Sequence, residues 1–369
     1  MNRMSCEVVV DNIGPGEWEQ YAGCFADYSI YQTWAYGSVR YGESALSHLV
    51  LKNSDAVLAI AQVRILRCPL VGGIAYMRWG PCWKRRNRQS SPEVLRQVIR
   101  ALRNEYVVRR GLFLRILPNE LEGDKETHSA FEAEGFQWKP LMERTFLIDL
   151  TPPLDVLRKG LDPRWRTDLN TAERKGLTVI EGTGQELYDM FASVYNEMLQ
   201  RKGFVDFVSV EEHRYIQNCL PEAFKMQIVI SKADNEPITA AITSLIGETA
   251  HAIFWATNAR GREMKGAYLL QWRVIEWLKA HGCRSYDLCG IDRKRNPGSY
   301  RFKAGLAGRN GREAQRIGQF EACENPISRI LVKCGDFLRF NYRQARYRCN
   351  KVIHARPSSI FGKQRISGP

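Results

Sequence analysis

Apolar and polar positions along the chain fall into two series of the same order. In the first, residues 49–52 and 56–66 are apolar runs joined by Asn53-Ser54-Asp55, which predicts two strands and a hairpin-like turn. Residues 73–79 predict a third strand, ended by Gly80-Pro81. A basic loop, Lys84-Arg85-Arg86-Asn87-Arg88, follows. Ser90-Ser91-Pro92-Glu93 then reads as a helix start, with Val94, Val98, Leu102 and Val107 near helical spacing. Gly111 stops that helix, and residues 112–117 form an apolar strand. The second series begins past residue 220. It runs strand (225–231), turn (Ala233-Asp234-Asn235-Glu236), strands (238–246 and 250–257), basic loop (258–265), helix (266–280), Gly282 and strand (285–289). One order repeated at this length predicts a duplicated domain rather than a solenoid.

The remaining segments are read in the same way. Residues 7–10 predict a strand, and residues 17–26 a helix with Trp18, Tyr21 and Phe25 on one side. Residues 31–40 predict a short helix whose aromatic face packs inward and whose Arg40 points outward. Residues 149–153 read as a linker. A basic helix over 165–175 stops at Gly176, and a helix over 185–202 carries Leu187, Phe191, Val194, Tyr195 and Met198 on one face. Arg201-Lys202-Gly203-Phe204 ends it. After Asn325 comes a basic helical pattern with Ile327, Ile330, Leu331, Cys334, Phe337 and Leu338, then Arg339, Arg343, Arg346 and Arg348. The last dozen residues are expected to be disordered.

Composition narrows the class. A length of 369 residues is expected to hold two domains, each with its own core. No apolar run approaches the roughly 18 residues a membrane helix needs, and the N-terminus lacks the apolar core of a secretory signal. A cytoplasmic protein is therefore expected. Ten scattered cysteines without a C-x-x-C, and six histidines without an H-E-x-x-H, fit free thiols and no metal site. A formal net charge of +14 favours polyanions: nucleic acid, nucleotide-linked substrates or an anionic membrane surface.

Chemistry concentrates between Cys283 and Gly308. A short strand ends at Gly290, residues 291–299 read as a loop, and Tyr300-Arg301-Phe302-Lys303 follows. Loops at the carboxyl ends of strands are where α/β proteins bind ligands. A lysine held there beside an aromatic ring can be desolvated and can stabilise developing negative charge. The alternative is a solvated basic loop with Phe302 tucked into the core. Gly261 and Gly266 have the spacing of half a phosphate loop without the Lys-Ser/Thr of a Walker motif. Backbone amides at that helix start, with Arg262 and Lys265 beside them, could hold an anion; an ordinary helix cap is the alternative. No G-x-S-x-G, S-x-x-K or Cys/His constellation is present, so direct attack of one substrate on another is expected.

The repeated order resembles the N-acetyltransferase (GNAT) fold. Two copies, with Tyr-Asp-Leu-Cys-Gly-Ile, then Asn296-Pro297-Gly298, then Tyr300-Arg301-Phe302-Lys303-Ala304-Gly305, resemble the FemABX family over about residues 25–325. That resemblance implies an α+β fold of two tandem GNAT-like domains, each a mixed, mostly antiparallel sheet flanked by helices. The expected division is 1–148 and 149–316, with residues near 317–325 returning to the first domain and 326–369 forming a basic C-terminal helix and tail. The coiled-coil arm of some members is absent, as in FemX-like members. The implied activity is non-ribosomal peptidyl transfer from aminoacyl-tRNA to the amine of a peptidoglycan precursor. Neither metal nor cofactor is implied. The family's Phe-Lys pair falls on Phe302 and Lys303, and the resemblance implies that Lys303 meets the aminoacyl ester. Trp34 and Arg40 fit a precursor-binding segment, with Arg where the family has Lys, and Arg201 fits a second phosphate-binding position. Tyr300 is counted with them.

Two other readings stay open. One is an acyl-CoA-dependent N-acyltransferase of polysaccharide or lipid, motivated by the loop holding Arg262 and Lys265. The other is RNA or peripheral membrane binding through the basic tail. Neither the general base nor the acceptor is readable, since Asp287 and Asp292 could both be partners of local cations.

Overall fold

The computed structural model describes residues 6–54, 56–68, 71–87, 90–202 and 208–354. The first half runs β1 (Glu7–Val10), α1 (Pro15–Ala22), α2 (Trp34–Tyr41), β2 (Leu46–Asn53), β3 (Ala56–Cys68), β4 (Gly72–Arg78), α3 (Pro92–Leu102), β5 (Phe113–Leu117), α4 (Lys125–Ala133) and β6 (Gln137–Lys139). The second runs β7 (Arg144–Asp149), α5 (Leu154–Gly160), α6 (Pro163–Glu173), β8 (Thr178–Gly182), α7 (Gln185–Lys202), α8 (Val210–Cys219), β9 (Gln227–Ala233), β10 (Glu236–Leu245) and β11 (Thr249–Thr257). It continues through α9 (Ala259–Glu263), α10 (Gly266–Ala280), β12 (Ser285–Asp287), α11 (Pro297–Ala307) and β13 (Gly311–Gln315). The chain then forms β14 (Gln319–Ala322) and the long helix α12 (Pro326–His354).

Two seven-stranded sheets result, ordered β1-β2-β3-β4-β5-β14-β6 and β13-β7-β12-β11-β10-β9-β8. Both are antiparallel apart from one parallel pair each, β4–β5 and β11–β12. The α+β tandem expected from the repeated pattern is what the chain adopts. β14 sits in the first sheet between β5 and β6. The division at 148 needs correction. Residues 144–149 form β7, which pairs with β12 and β13, so the second sheet begins at Arg144. Thr145, Phe146 and Ile148 are buried there, so both faces of this strand are covered, and that burial outweighs the linker-like residues after it.

Helices cover the sheets in three layers. α3 and α4 pack Leu95, Val98, Ile99 and Phe131 on the outer face of the first sheet. α6, α10 and α11 pack Trp165, Leu270, Ile275 and Leu306 on the outer face of the second. Between the sheets lies a shared core in which Trp18, Phe25 and Tyr36 of the first half meet Phe191, Tyr195 and Phe254 of the second. The β10–β11 turn approaches the first half so closely that a Cβ on Gly247 would lie 2.3 Å from the Ala26 carbonyl oxygen. Only glycine fits that contact.

Three local expectations change. Residues 259–263 form α9, capped by the Asn258 side chain on the Gly261 amide, so the expected loop is partly helical. α11 begins at Pro297, so Phe302 and Lys303 lie within a helix; Asn296 caps it through the Ser299 amide. β12 ends at Asp287, two residues early. The tail expected to be disordered lies outside the described residues from 355 onward, as do Gly203 and Phe204.

Candidate functional site

The second sheet is open where the first is closed. β11 and β12 pair only from Thr249–Ser285 to His251–Asp287, yet β11 continues to Thr257. Among the described residues, 252–257 of β11 thus have no ladder partner on the β12 side. A bulge against β10 adds one residue to β11, Ile253, at the same place, and bulges re-aim side chains beside such openings. In the first sheet the equivalent strands pair from Ile74–Phe113 through Arg78–Leu117, nearly all of β4. Among the described residues, the second repeat therefore offers a gap between its parallel strands and the first does not.

Lys303 stands at this gap. It is 9% exposed, and its Nζ donates to the carbonyls of Leu288 (2.7 Å), Gly290 (2.9 Å) and Cys289 (3.2 Å). An ammonium has three protons, so each has an acceptor. The charge lies 5.1 Å from the Trp255 ring. Burial lowers its pKa, opposed by Cys289 and Asp287. A cavity of about 270 Å³, lined by Tyr195, Met198, Phe254, Leu288, Ser299 and Lys303, reaches it from the α7 side.

Phe302 points elsewhere. Its ring packs against Tyr268 (5.1 Å) and Trp165 (5.7 Å), on a second cavity of about 850 Å³ between α6, α10 and α11. Adjacent helical residues project about 100° apart, so the expected grip of Phe302 on the ammonium is made by Trp255 instead. Lys159, Arg164, Arg166, Arg301 and Arg309 rim this cavity. Its two carboxylates are engaged: Asp162 caps α6, and Asp168 pairs with Lys265 at 3.2 Å.

The other expected site residues separate. Lys265 pairs with Asp168, whereas Arg262 lies near enough to Arg201 and Lys202 to repel both, so Arg262 and Lys265 do not form one anion cradle. Burial and then repulsion from Arg262 lower the pKa of Arg201. Arg201 also donates to the Thr257 carbonyl at 3.3 Å. Tyr300 is tied to Glu313 at 2.9 Å. Trp34 stacks flat on His48 with centroids 4.0 Å apart, a packing role. Arg40 does not point into solvent; it crosses to Glu212 of α8.

Arg40 also lines a cavity of about 590 Å³ in the first half, between α2, the β3–β4 face and α12. The pattern of single residues did not reveal it, because its cations lie far apart in sequence: Arg40, Arg64, Arg67, Arg78, Arg115 and Arg339. Arg115 is taken by Asp336 and Glu321, and Arg78 reaches Glu143 at 3.6 Å. Arg64 lies over the Tyr41 ring at 4.5 Å. Arg64, Arg67 and Arg339 have no ion pair among the described residues. Tyr36 of this cavity meets His213 (6.3 Å), and His213 meets Phe254 of the 270 Å³ cavity (4.9 Å). These three rings run from one space to the other.

A buried polar junction joins the halves beside these rings. Arg316, between β13 and β14, pairs with Asp287 and donates to the Asn119 carbonyl at 2.6 Å. Burial raises the Asp287 pKa, but Arg316, His251, Thr145 and the Cys289 amide together hold it below the ordinary value. Asp287 is therefore a structural counterion rather than a base. Asp292 caps the turn at Lys294 and Arg295. Nearby, burial pushes His251 down to about 4. The unfolded chain takes up that proton near pH 6.5 and the native chain near 4, so the neutral imidazole contributes fully above 6.5 and its contribution fades as pH falls. Burial pushes the Asp27 carboxyl up to about 7, giving the opposite slope, so parent and variant must be compared. The parent is expected to lose about 3 kcal/mol more than His251→Phe between pH 6.5 and 4, read by urea unfolding; equal losses would contradict this.

Residues 164–304 match the family model described as an acetyltransferase (GNAT) domain. No curated protein matches the chain by sequence. Among solved structures, FemX superposes with a TM-score of 0.72 at 15% identity, covering 86% of this chain and 98% of that one. The C-terminal domain of an Agrobacterium fabrum protein described as a lysylphosphatidylglycerol synthetase superposes with a TM-score of 0.55 at 14% identity, covering 87% and 97%. No cluster of His, Cys, Asp or Glu among the described residues could hold a metal, and no described helix is long and apolar enough to cross a membrane.

Proposed function

We propose that this acyltransferase of FemX-like tandem GNAT fold moves an amino acid from aminoacyl-tRNA to an amine on a phosphate-bearing acceptor, a peptidoglycan precursor or a related molecule. The observation that carries the reading is the gap beside residues 252–257, with the Lys303 charge at its base, a cation-rimmed cavity around the neighbouring Phe302, and the arginine cavity beyond the rings of Tyr36, His213 and Phe254. The cavity holding Phe302 and five cations suits the tRNA end, since aromatic floors stack bases and cations follow phosphates. The arginine cavity suits the acceptor phosphate. FemX and the lysylphosphatidylglycerol synthetase domain share the fold.

In the reaction the amine nitrogen attacks the ester carbonyl. The C–N bond forms, the ester C–O bond breaks, and the proton lost by nitrogen balances the one gained by the ribose oxygen. Holding both reactants in line supplies much of the rate. Lys303 supplies a fixed positive charge, and exchanging its longest bond, to Cys289, for the ester oxygen would stabilise the oxyanion directly.

The acyl-CoA alternative is disfavoured by one observation. At the start of α10, where a pyrophosphate would sit on the amides, the Asp168 carboxylate already holds Lys265. Labelled aminoacyl-tRNAs and acetyl-CoA, each mixed with amine acceptors bearing phosphate, decide between donors. Amide formation from tRNA is expected; transfer from acetyl-CoA alone overturns the donor assignment. Arg64→Gln is expected to raise the acceptor KM about tenfold with little change in kcat, since it removes binding made equally in ground and transition states. An unchanged KM would displace the acceptor phosphate from this cavity.

A further inference from the structure

The long C-terminal helix carries its apolar stripe on the wrong side for packing. Its inward face repeats every four residues: Ser328 holds the Gly111 carbonyl and the Gly73 amide, Val332 is buried, and Asp336 binds Arg115. The apolar residues recur at the offset positions 327, 330, 334, 337, 338 and 342, a separate helical face. They are open to solvent: Ile330 is 61% exposed, Phe337 66%, Leu338 68% and Tyr342 63%. Scattered exposed apolar residues are ordinary, but a continuous stripe along one helix marks a docking surface.

Charge selects the occupant. From Pro326 to His354 the sequence holds seven basic residues, Arg329, Lys333, Arg339, Arg343, Arg346, Arg348 and Lys351, and one acid, Asp336, which is already paired. A second copy of the chain would bring like charges together, whereas anionic headgroups would neutralise them. We propose that α12 lies in the plane of an anionic bilayer surface, with Ile330, Phe337, Leu338 and Tyr342 inserted among the acyl chains and the exposed Arg329 and Lys333 at the headgroups. Leu331, Val332, Gly335, Asp336 and Arg339 of the same helix wall the arginine cavity. Docking therefore holds that cavity within about one helix diameter, roughly 10 Å, of the headgroups. This surface stands independently of the transfer chemistry.

Vesicle flotation with the full chain tests it. Binding is expected to vesicles of phosphatidylcholine with about 30% phosphatidylglycerol and not to phosphatidylcholine alone, because each signal by itself is weak. Raising salt to about 0.5 M should weaken the binding by screening. Phe337→Ser with Leu338→Ser should lower it at least about tenfold and leave the circular dichroism unchanged. Equal flotation of parent and variant, no flotation of the parent, or a concentration-dependent dimer that the variant abolishes, would each overturn the proposal. So would a variant that loses tRNA binding and keeps vesicle binding.

Discussion

Lys303→Met is expected to slow single-turnover amide formation about 10²–10³-fold at saturating donor and acceptor, the usual effect of removing one charge-stabilising donor. The substitution also strips the Leu288, Cys289 and Gly290 carbonyls of their buried partner. Unpaired buried acceptors cost about 1–3 kcal/mol each when water cannot reach them, so a lowered melting temperature should accompany the kinetic loss. The two effects are separable. Lys303→Arg keeps the charge but not the compact three-carbonyl geometry, and is expected to recover part of the rate. If folded Lys303→Met transfers at the parental rate, the lysine is only a tie for the strand end, and the proposed chemistry fails.

Arg316→Met is expected to cause the largest loss of stability. It leaves the buried Asp287 carboxylate without its counterion, and breaking such a pair from one side typically costs about 3–5 kcal/mol. In a domain of this size that corresponds to a melting temperature about 10 °C lower. Arg316 also holds the Asn119 carbonyl and lies 4.5 Å from the Trp79 ring, so the loss falls on the join between the halves. Asp287→Asn in the same chain is expected to restore most of the stability, because the amide oxygen can still accept from Thr145 and Cys289. A double variant as unstable as the single one would show that the arginine acts by packing rather than by charge.

Repeated strand and helix periodicity made the tandem legible, because burying one face of each element leaves its period in the sequence. α7 and α10 could be read that way, and so could the apolar positions of α12. β7 was not, since a six-residue strand just before the linker-like residues 149–153 leaves too short a pattern to read until β12 and β13 supply its ladders. The candidate site was legible only in part. Lys303 was singled out by its local motif, and the structure places it at the gap between β11 and β12. Trp255 was missed because nothing in a strand's alternation says which ring will face a lysine 48 residues later. The arginine cavity was missed because Arg40, Arg64, Arg78 and Arg339 share no local pattern.

By itself, then, the sequence determined the α+β repeat, the cationic balance and the stretch where chemistry gathers, since composition and short-range period are properties of neighbours along the chain. Only the tertiary structure decided which repeat opens between its parallel strands, that the Lys303 protons rest on three carbonyls, and that Arg40 crosses to Glu212. Those outcomes depend on ladder register and on contacts between distant residues, which close packing fixes only when all the partners are in place.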